Sequence, residues 1–182
     1  MNIPRIDHLA WRVPNRKETA QFFIDVLGYR IQTEFDLNFP DGSTTKCIAL
    51  EAFEKKTNFT WKQFIPINGF EIEYWSPPEF FISDGDDNSI VGKWVNERKN
   101  IGSFLHHIAL QVDDVEKTAK EWLEKGYAEF ATEKALTCPG LIQIFSKPHK
   151  LTGIIFELIK RENQGFCKEN VIDLMTSSAD FK

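Results

Sequence analysis

At 182 residues the chain is long enough for one domain with a real core or for two small modules, and its 42% apolar content is ordinary for a globular protein. A net charge of −5 without a Lys/Arg cluster argues against a nucleic-acid partner, and no apolar run approaches the roughly 18 residues needed to cross a membrane. The opening MNIPRIDHLAW lacks the basic flank and apolar stretch of a secretion signal, and Cys47, Cys138 and Cys167 form no CxxC pair, so the expectation is a reducing cytoplasm with neither disulfides nor cysteine-bound zinc.

The first element is IDHLAWRV, a short apolar run read as a strand. Asn15, with Glu18 three residues on, predicts a capped helix closed at Gly28, with Phe22, Phe23, Val26 and Leu27 as its core-facing stripe. YRIQTEFDL, TKCIALEAF and GFEIEYW read as the strands that follow, broken at Pro40-Asp41-Gly42 and by a polar insertion from Glu54 to Lys62. Ser89 caps a connector helix, IVGKWVNERKN, that reaches Gly102. FLHHIAL then starts a second series. Asp113 and Glu116 open its helix, Ala119, Trp122 and Leu123 form the stripe, and Gly126 ends it. YAEFATEKAL, LIQIFS and GIIFELI read as strands, and KENVIDLMTSSADF as a last short helix.

The second series repeats the first. IDHLAWRVPNRKETAQFFIDVLGY aligns with LHHIALQVDDVEKTAKEWLEKGY: His8 with His107, Val13 with Val112, Phe23 with Trp122 and, after a gap, Gly28-Tyr29 with Gly126-Tyr127. Repetition of this kind means one supersecondary unit used twice. Each unit is βαβββ, so the fold class is α+β. The expected organisation is a single domain with a first module at 1–80, a connector helix at 81–102, a second module at 103–162 and a C-terminal lid helix at 163–182.

Neighbours in a strand face opposite ways. His106 would share a face with Ile108 and Leu110, and His107 with Ala109 and Gln111. The small, polar lining around His107 suits a cavity, with His106 facing away; the alternative is a core histidine satisfied by a backbone carbonyl. FEIEYW and IIFELI carry glutamate at the same point, Glu73 and Glu157. The repeat would place His8, Glu73, His107 and Glu157 around a common axis. Two imidazoles with one or two carboxylates suit Fe(II), Mn, Co, Ni or Zn. Glu157, set among apolar neighbours in GIIFELI, needs a partner, which a metal or a structural salt bridge would provide.

The repeated blocks and GIIFELI resemble the vicinal oxygen chelate superfamily over nearly the whole chain. The resemblance implies an eight-stranded incomplete barrel of two βαβββ modules around a metal cavity, with ligands at His8, Glu73, His107 and Glu157. The block LIQIFSKPHKLTGIIFELIKRENQGFCKENVIDLM is similar to the C-terminal end of 4-hydroxyphenylpyruvate dioxygenase, matching it at Gln143, Glu157, Arg161, Gly165, Phe166 and Asn170. This implies that Gln143 and Phe166 line a substrate pocket beneath the last helix, and it makes Asn170 a further catalytic candidate. Cys167, Glu169 and Val171 depart from that pattern, and Glu73 falls where the dioxygenase has no ligand. SIVGKWVNERKNIGSFLHHIALQVDDVE and FEIEYWSPP resemble methylmalonyl-CoA epimerase instead. That enzyme's second acid/base glutamate would fall near Gly42 and Ser43, where Asp41 is the nearby carboxylate.

The resulting expectation is a divalent-metal enzyme, an Fe(II) dioxygenase-like protein acting on an aromatic or apolar α-keto acid. Its alternatives are a four-ligand epimerase, isomerase or lyase, and a metal-free small-molecule binding module. The expected partner is a small-molecule substrate, with a homodimer left open. Glu73 divides the first two readings, since four protein ligands leave too few positions for a keto acid and oxygen.

Overall fold

The computed structural model describes residues 5–52, 62–65, 70–73, 77–100, 103–162 and 166–179, with 5, 62–65 and 70–73 described as backbone alone. The first strand is β1 (Arg5–Arg12), and Asn15 caps α1 (Arg16–Leu27). Asn15 Oδ1 accepts from the Glu18 N–H at 3.1 Å, and its Nδ2 donates to the Glu18 carboxylate at 3.3 Å. Gly28 ends the helix at φ 69°, a left-handed conformation that a Cβ would strain. An antiparallel pair follows, β2 (Tyr29–Asn38) and β3 (Thr44–Ala52). β4 (Lys62–Ile65) and β5 (Phe70–Glu73) pair with each other in a separate two-stranded sheet. β6 (Glu79–Gly85) returns to the main sheet and leads to α2 (Ile90–Arg98), where Ser89 Oγ accepts from the Gly92 N–H at 3.0 Å. The second half runs β7 (Leu105–Gln111), α3 (Val115–Glu124), β8 (Leu136–Cys138), β9 (Leu141–Phe145), β10 (Ile155–Arg161) and α4 (Lys168–Ser177).

The main sheet has eight strands in the order β2-β3-β6-β1-β7-β10-β9-β8, curled into an incomplete barrel. β1 and β7 pair antiparallel at its centre, and the halves extend outward in the same strand sequence. A pseudo-two-fold axis therefore passes between β1 and β7. Alternation gives the sheet two apolar faces. Ala10, Cys47, Ala49 and Phe81 face inward beneath Trp94 of α2 and Val171 and Met175 of α4. Ile48, Leu50, Phe80 and Ile82 face outward with Ala20, Phe23 and Ile24 of α1. On the other half, Val115, Ala119 and Trp122 of α3 pack on Val112, Ile144 and Leu158.

Several expectations need correction. GFEIEYW is not the last strand of the first module. That place belongs to β6, whose Phe80-Phe81-Ile82 run fills both faces as a central strand must. YAEFATEKAL forms no continuous strand: Phe130 makes an isolated bridge to Ser146, and β8 begins only at Leu136. Phe22, Val26 and Leu27 are exposed, as is Leu123. The stripe of α1 that meets the sheet is Ala20, Phe23 and Ile24, at i, i+3 and i+4, and Phe22 and Val26 lie off it. The cap of α3 is Asp114, one residue later than expected.

Candidate metal centre

Each of the two central strands is bulged at the residue before its histidine. Ile6 pairs with Leu110 and His8 with Ala109, which leaves Asp7 unmatched. Ala10 pairs with His107 and Trp11 with Leu105, which leaves His106 unmatched. The two bulges are mates under the pseudo-two-fold. A bulge breaks alternation and lets consecutive side chains approach one another. His8 Nδ1 and Asp7 Oδ1 are 2.9 Å apart, and His106 Nδ1 lies 2.8 Å from His107 Nδ1. His106 therefore does not face away. It is 4% exposed and lines the same cavity as His107. The expectation of opposite faces assumed an unbroken ladder.

Both histidines present Nε2 to one point. The two Nε2 atoms are 3.2 Å apart, and Glu157 Oε2 lies 3.3 Å from that of His8 and 3.1 Å from that of His107. β10 delivers Glu157 through its parallel pairing with β7, beside Ala109. All three residues are buried, and they form a group able to hold one metal ion. Ligand atoms about 2.1 Å from one ion and at right angles to each other would be about 3.0 Å apart, so the triangle fits a divalent cation held on one side.

The side chain of Glu73, the fourth expected ligand, lies outside the described residues. Its strand, β5, belongs to the separate sheet. Strand register identifies the true mate of Glu157. In the second half His107 pairs with Ile155, and Glu157 is two residues further on. In the first half His8 pairs with Glu79, and Phe81 is two residues further on. A phenyl ring thus stands where the two-fold would put a second carboxylate.

Burial opposes charge on His8, but Glu157 and Asp7 outweigh it and hold its pKa up at about 9. Burial would raise Glu157, yet the two histidines pull it down to about 2. Burial takes His107 down to about 4 in spite of Glu157. At neutral pH without metal, an imidazolium His8 donates through Nδ1–H to Asp7 and through Nε2–H to Glu157. One proton then sits where a cation would. Asp7 is also ion-paired with Arg161, which bonds Glu79 at 3.0 Å. Burial works against the Asp7 charge, but His8 and Arg161 keep its carboxyl well below the usual range.

The triad opens on a cavity walled by Phe81, Gln143, Phe145 and Phe166, with Val171, Leu174 and Met175 over it. Its free space is about 30 Å³, room for an ion or a water or two. Gln143 is 1% exposed, and its Nε2 has no partner among the described residues. The Phe166 ring stands edge-on to His8 with centroids 5.2 Å apart, and lies 4.7 Å from Phe81. Asn170 is buried on α4 with an unpartnered Nδ2, but it is not among the cavity walls. Sequence reasoning missed Asp7, Arg12, Phe81 and the inward turn of His106. For Asp7 and His106 a signal existed: each precedes an aligned histidine as a polar residue in an apolar strand.

Comparison with known proteins adds to this geometry. Residues 7–138 match the Glyoxalase/Bleomycin resistance protein/Dioxygenase superfamily. The chain belongs to that superfamily. This glyoxalase-superfamily protein is 22% identical to human mitochondrial methylmalonyl-CoA epimerase over 157 residues, 86% of the chain and 74% of the relative. Its structure superposes on a mutant 4-hydroxymandelate synthase from Streptomyces coelicolor with a TM-score of 0.72 and 16% identity. That match covers 97% of this chain and 54% of the other, so the chain spans about half of that synthase. A methylmalonyl-CoA epimerase structure superposes with a TM-score of 0.58 at 19% identity, covering 87% of this chain and 95% of the other. At these identities the superpositions show a shared fold.

Proposed function

We propose that this vicinal oxygen chelate protein is a divalent-metal enzyme whose chemistry is Fe(II)-dependent oxygenation of an aromatic or apolar α-keto acid, in the manner of 4-hydroxyphenylpyruvate dioxygenase. The observation that carries the reading is Phe81 at the two-fold mate of Glu157. Among the described residues His8, His107 and Glu157 then make a two-histidine, one-carboxylate set, the set that non-haem Fe(II) oxygenases use. When bound, the metal would supply the attachment and activation of keto acid and oxygen.

The chain's own residues do the rest. Asp7 and His106 hold the Nδ1 atoms of the two histidines, so that both Nε2 atoms face one point. The unpaired amide N–H of Gln143 is available to an acceptor on the substrate. Phe81, Phe145 and Phe166 offer ring faces to an apolar body, about 0.5–1.5 kcal/mol per well-stacked pair beyond area burial. α4 and Phe166 keep water out. The free space of about 30 Å³ is far below that of a small-molecule site, so the segment carrying Phe166 has to yield for a substrate to enter.

The curated relatives favour the epimerase alternative. Against it, Asp41 accepts from the N–H and Oγ of Ser43 at 2.9 and 2.7 Å in an exposed turn, outside the cavity walls. Such a carboxylate is not placed as a base for a carbon bound near the triad. The test mixes the Fe(II)-loaded protein with 4-hydroxyphenylpyruvate under argon. Chelation should give a visible absorption band, which oxygen then discharges with release of carbon dioxide. If no band forms and Glu73→Gln weakens metal binding tenfold or more, as expected when a ligating charge is lost, four-ligand Lewis-acid chemistry replaces oxygenation.

A further inference from the structure

The cavity has a second polar pole. Arg12 shares a face of β1 with His8, four residues on, about 13 Å away between Cα positions. It is 2% exposed. Its Nη2 donates to Ser178 Oγ at 3.4 Å, and its Nη1 has no partner. Among the described residues no carboxylate pairs with it. Other arginines of the chain are treated differently: Arg161 is paired with Asp7 and Glu79, Arg16 with Asp84, and Arg30 with Glu51. The neighbour that bears most on Arg12 is another cation, and burial reinforced by Arg98 pulls its pKa down to about 9. Both guanidinium groups lie over the Trp94 ring, at 5.7 Å for Arg12 and 4.3 Å for Arg98. A guanidinium so buried and unpaired is costly unless something anionic arrives to meet it.

His106 adds a second free donor beside it. With His107 ligating through Nε2, its Nδ1–H donates to His106 Nδ1. The His106 proton is then on Nε2, which is buried and unpartnered. His106 packs edge-on against the same Trp94 ring, with centroids 5.4 Å apart. The two-fold mate of Arg12 is Gln111, which is neutral, so this positive pole belongs to one half of the repeat.

We propose that Arg12 and the Nε2–H of His106 form an anion-binding subsite, and that the substrate is an α-keto acid carrying a second carboxylate at the far end of an apolar body. This rests on the metal-dependent keto-acid reading above, which places the keto-acid end at the triad.

The test compares phenylpyruvate with 4-carboxyphenylpyruvate, and 2-oxohexanoate with 2-oxoadipate, on the Fe(II)-loaded full chain under argon. Affinity is read from tryptophan fluorescence and from the visible band. In each pair the second carboxylate should tighten binding by at least about tenfold, the scale of a hydrogen bond to a charged group. Arg12→Met should remove that advantage, so that the two members of each pair bind alike, and Arg12→Lys should keep part of it. Metal-free Arg12→Met should melt at the same temperature as the parent or higher, because a buried unpaired charge has gone. Equal affinity within each pair, or a preference that survives Arg12→Met, overturns the subsite. So does a lower melting temperature with the preference unchanged, which makes Arg12 a structural residue. Failure of the keto-acid reading looks different: no band forms with any probe, while the metal-free protein still shows the Arg12-dependent preference in fluorescence.

Discussion

Replacing Asp7 with Asn tests how the first histidine is held. The change is nearly isosteric, so packing stays, but the charge facing His8 Nδ1 at 2.9 Å is lost. An amide also has two faces, and its NH₂ side would favour the wrong tautomer of His8. Hydrogen bonds to charged groups contribute about 1.5–3 kcal/mol, a factor of about 10 to 150 in an equilibrium constant. Loss of a partner behind a ligating histidine costs about 10- to 100-fold in metal affinity. The two estimates agree. Divalent-metal affinity of Asp7→Asn should therefore fall by about 10- to 100-fold in competition with a chromophoric chelator at fixed pH. Stability should fall as well, because Arg161 keeps only Glu79 of its pair. That loss has a defined pH window. The folded-state pKa of Asp7 is depressed, so its contribution is present above the unfolded carboxylate value of about 3.9 and is lost as the pH falls through the folded value. Melting temperatures of parent and variant should converge in acid. Unchanged metal affinity in a normally folded Asp7→Asn protein would refute ligation through His8 Nε2, and the triad with it.

The remaining predictions concern the proton, the missing carboxylate and the ring over the site. With His8 raised to about 9, His107 already neutral and Glu157 already ionised, metal binding at pH 7 should release about one proton. Calorimetry in two buffers of different ionisation enthalpy measures it, apparent affinity should climb about tenfold per pH unit up to about pH 9, and zero release would contradict the charge state described. Phe81→Glu should lower the melting temperature of the metal-free protein, restore it on adding metal, and abolish the keto-acid band, as read by melting curves and visible spectra. Phe166→Ala removes the ring beside His8 and should raise the keto-acid KM severalfold while lowering Tm by only a few degrees, because Phe166 is only half-buried at the edge of the core.

The repeat was legible because aligned pairs such as His8/His107 and Gly28/Gly126 serve the same local physics twice. That made the fold class and the grouping of His8, His107 and Glu157 readable. Bulges were not readable, because an extra residue leaves the apolar pattern on either side intact, and so His106 was given to the wrong face. β6 was overlooked because FEIEYW matched IIFELI letter by letter, whereas strand order is decided by which run can be buried on both faces. Arg12 was passed over because a charged residue near a strand end ordinarily lies in water. Only the folded chain shows it buried with no carboxylate beside it among the described residues.

Phe81 has a consequence for how such a centre arises. Two identical βαβββ units meeting about a two-fold can offer a shared ion only even numbers of each ligand, because an isologous contact repeats every residue. Two histidines with two glutamates, or two histidines with none, are the sets open to a symmetric dimer of half-length chains. The single carboxylate that the described residues bring to the two histidines requires the halves to differ, which two copies of one half-length chain cannot do and two stretches of one chain can. Tandem fusion thus lets a duplicated unit give up one corner of a shared site.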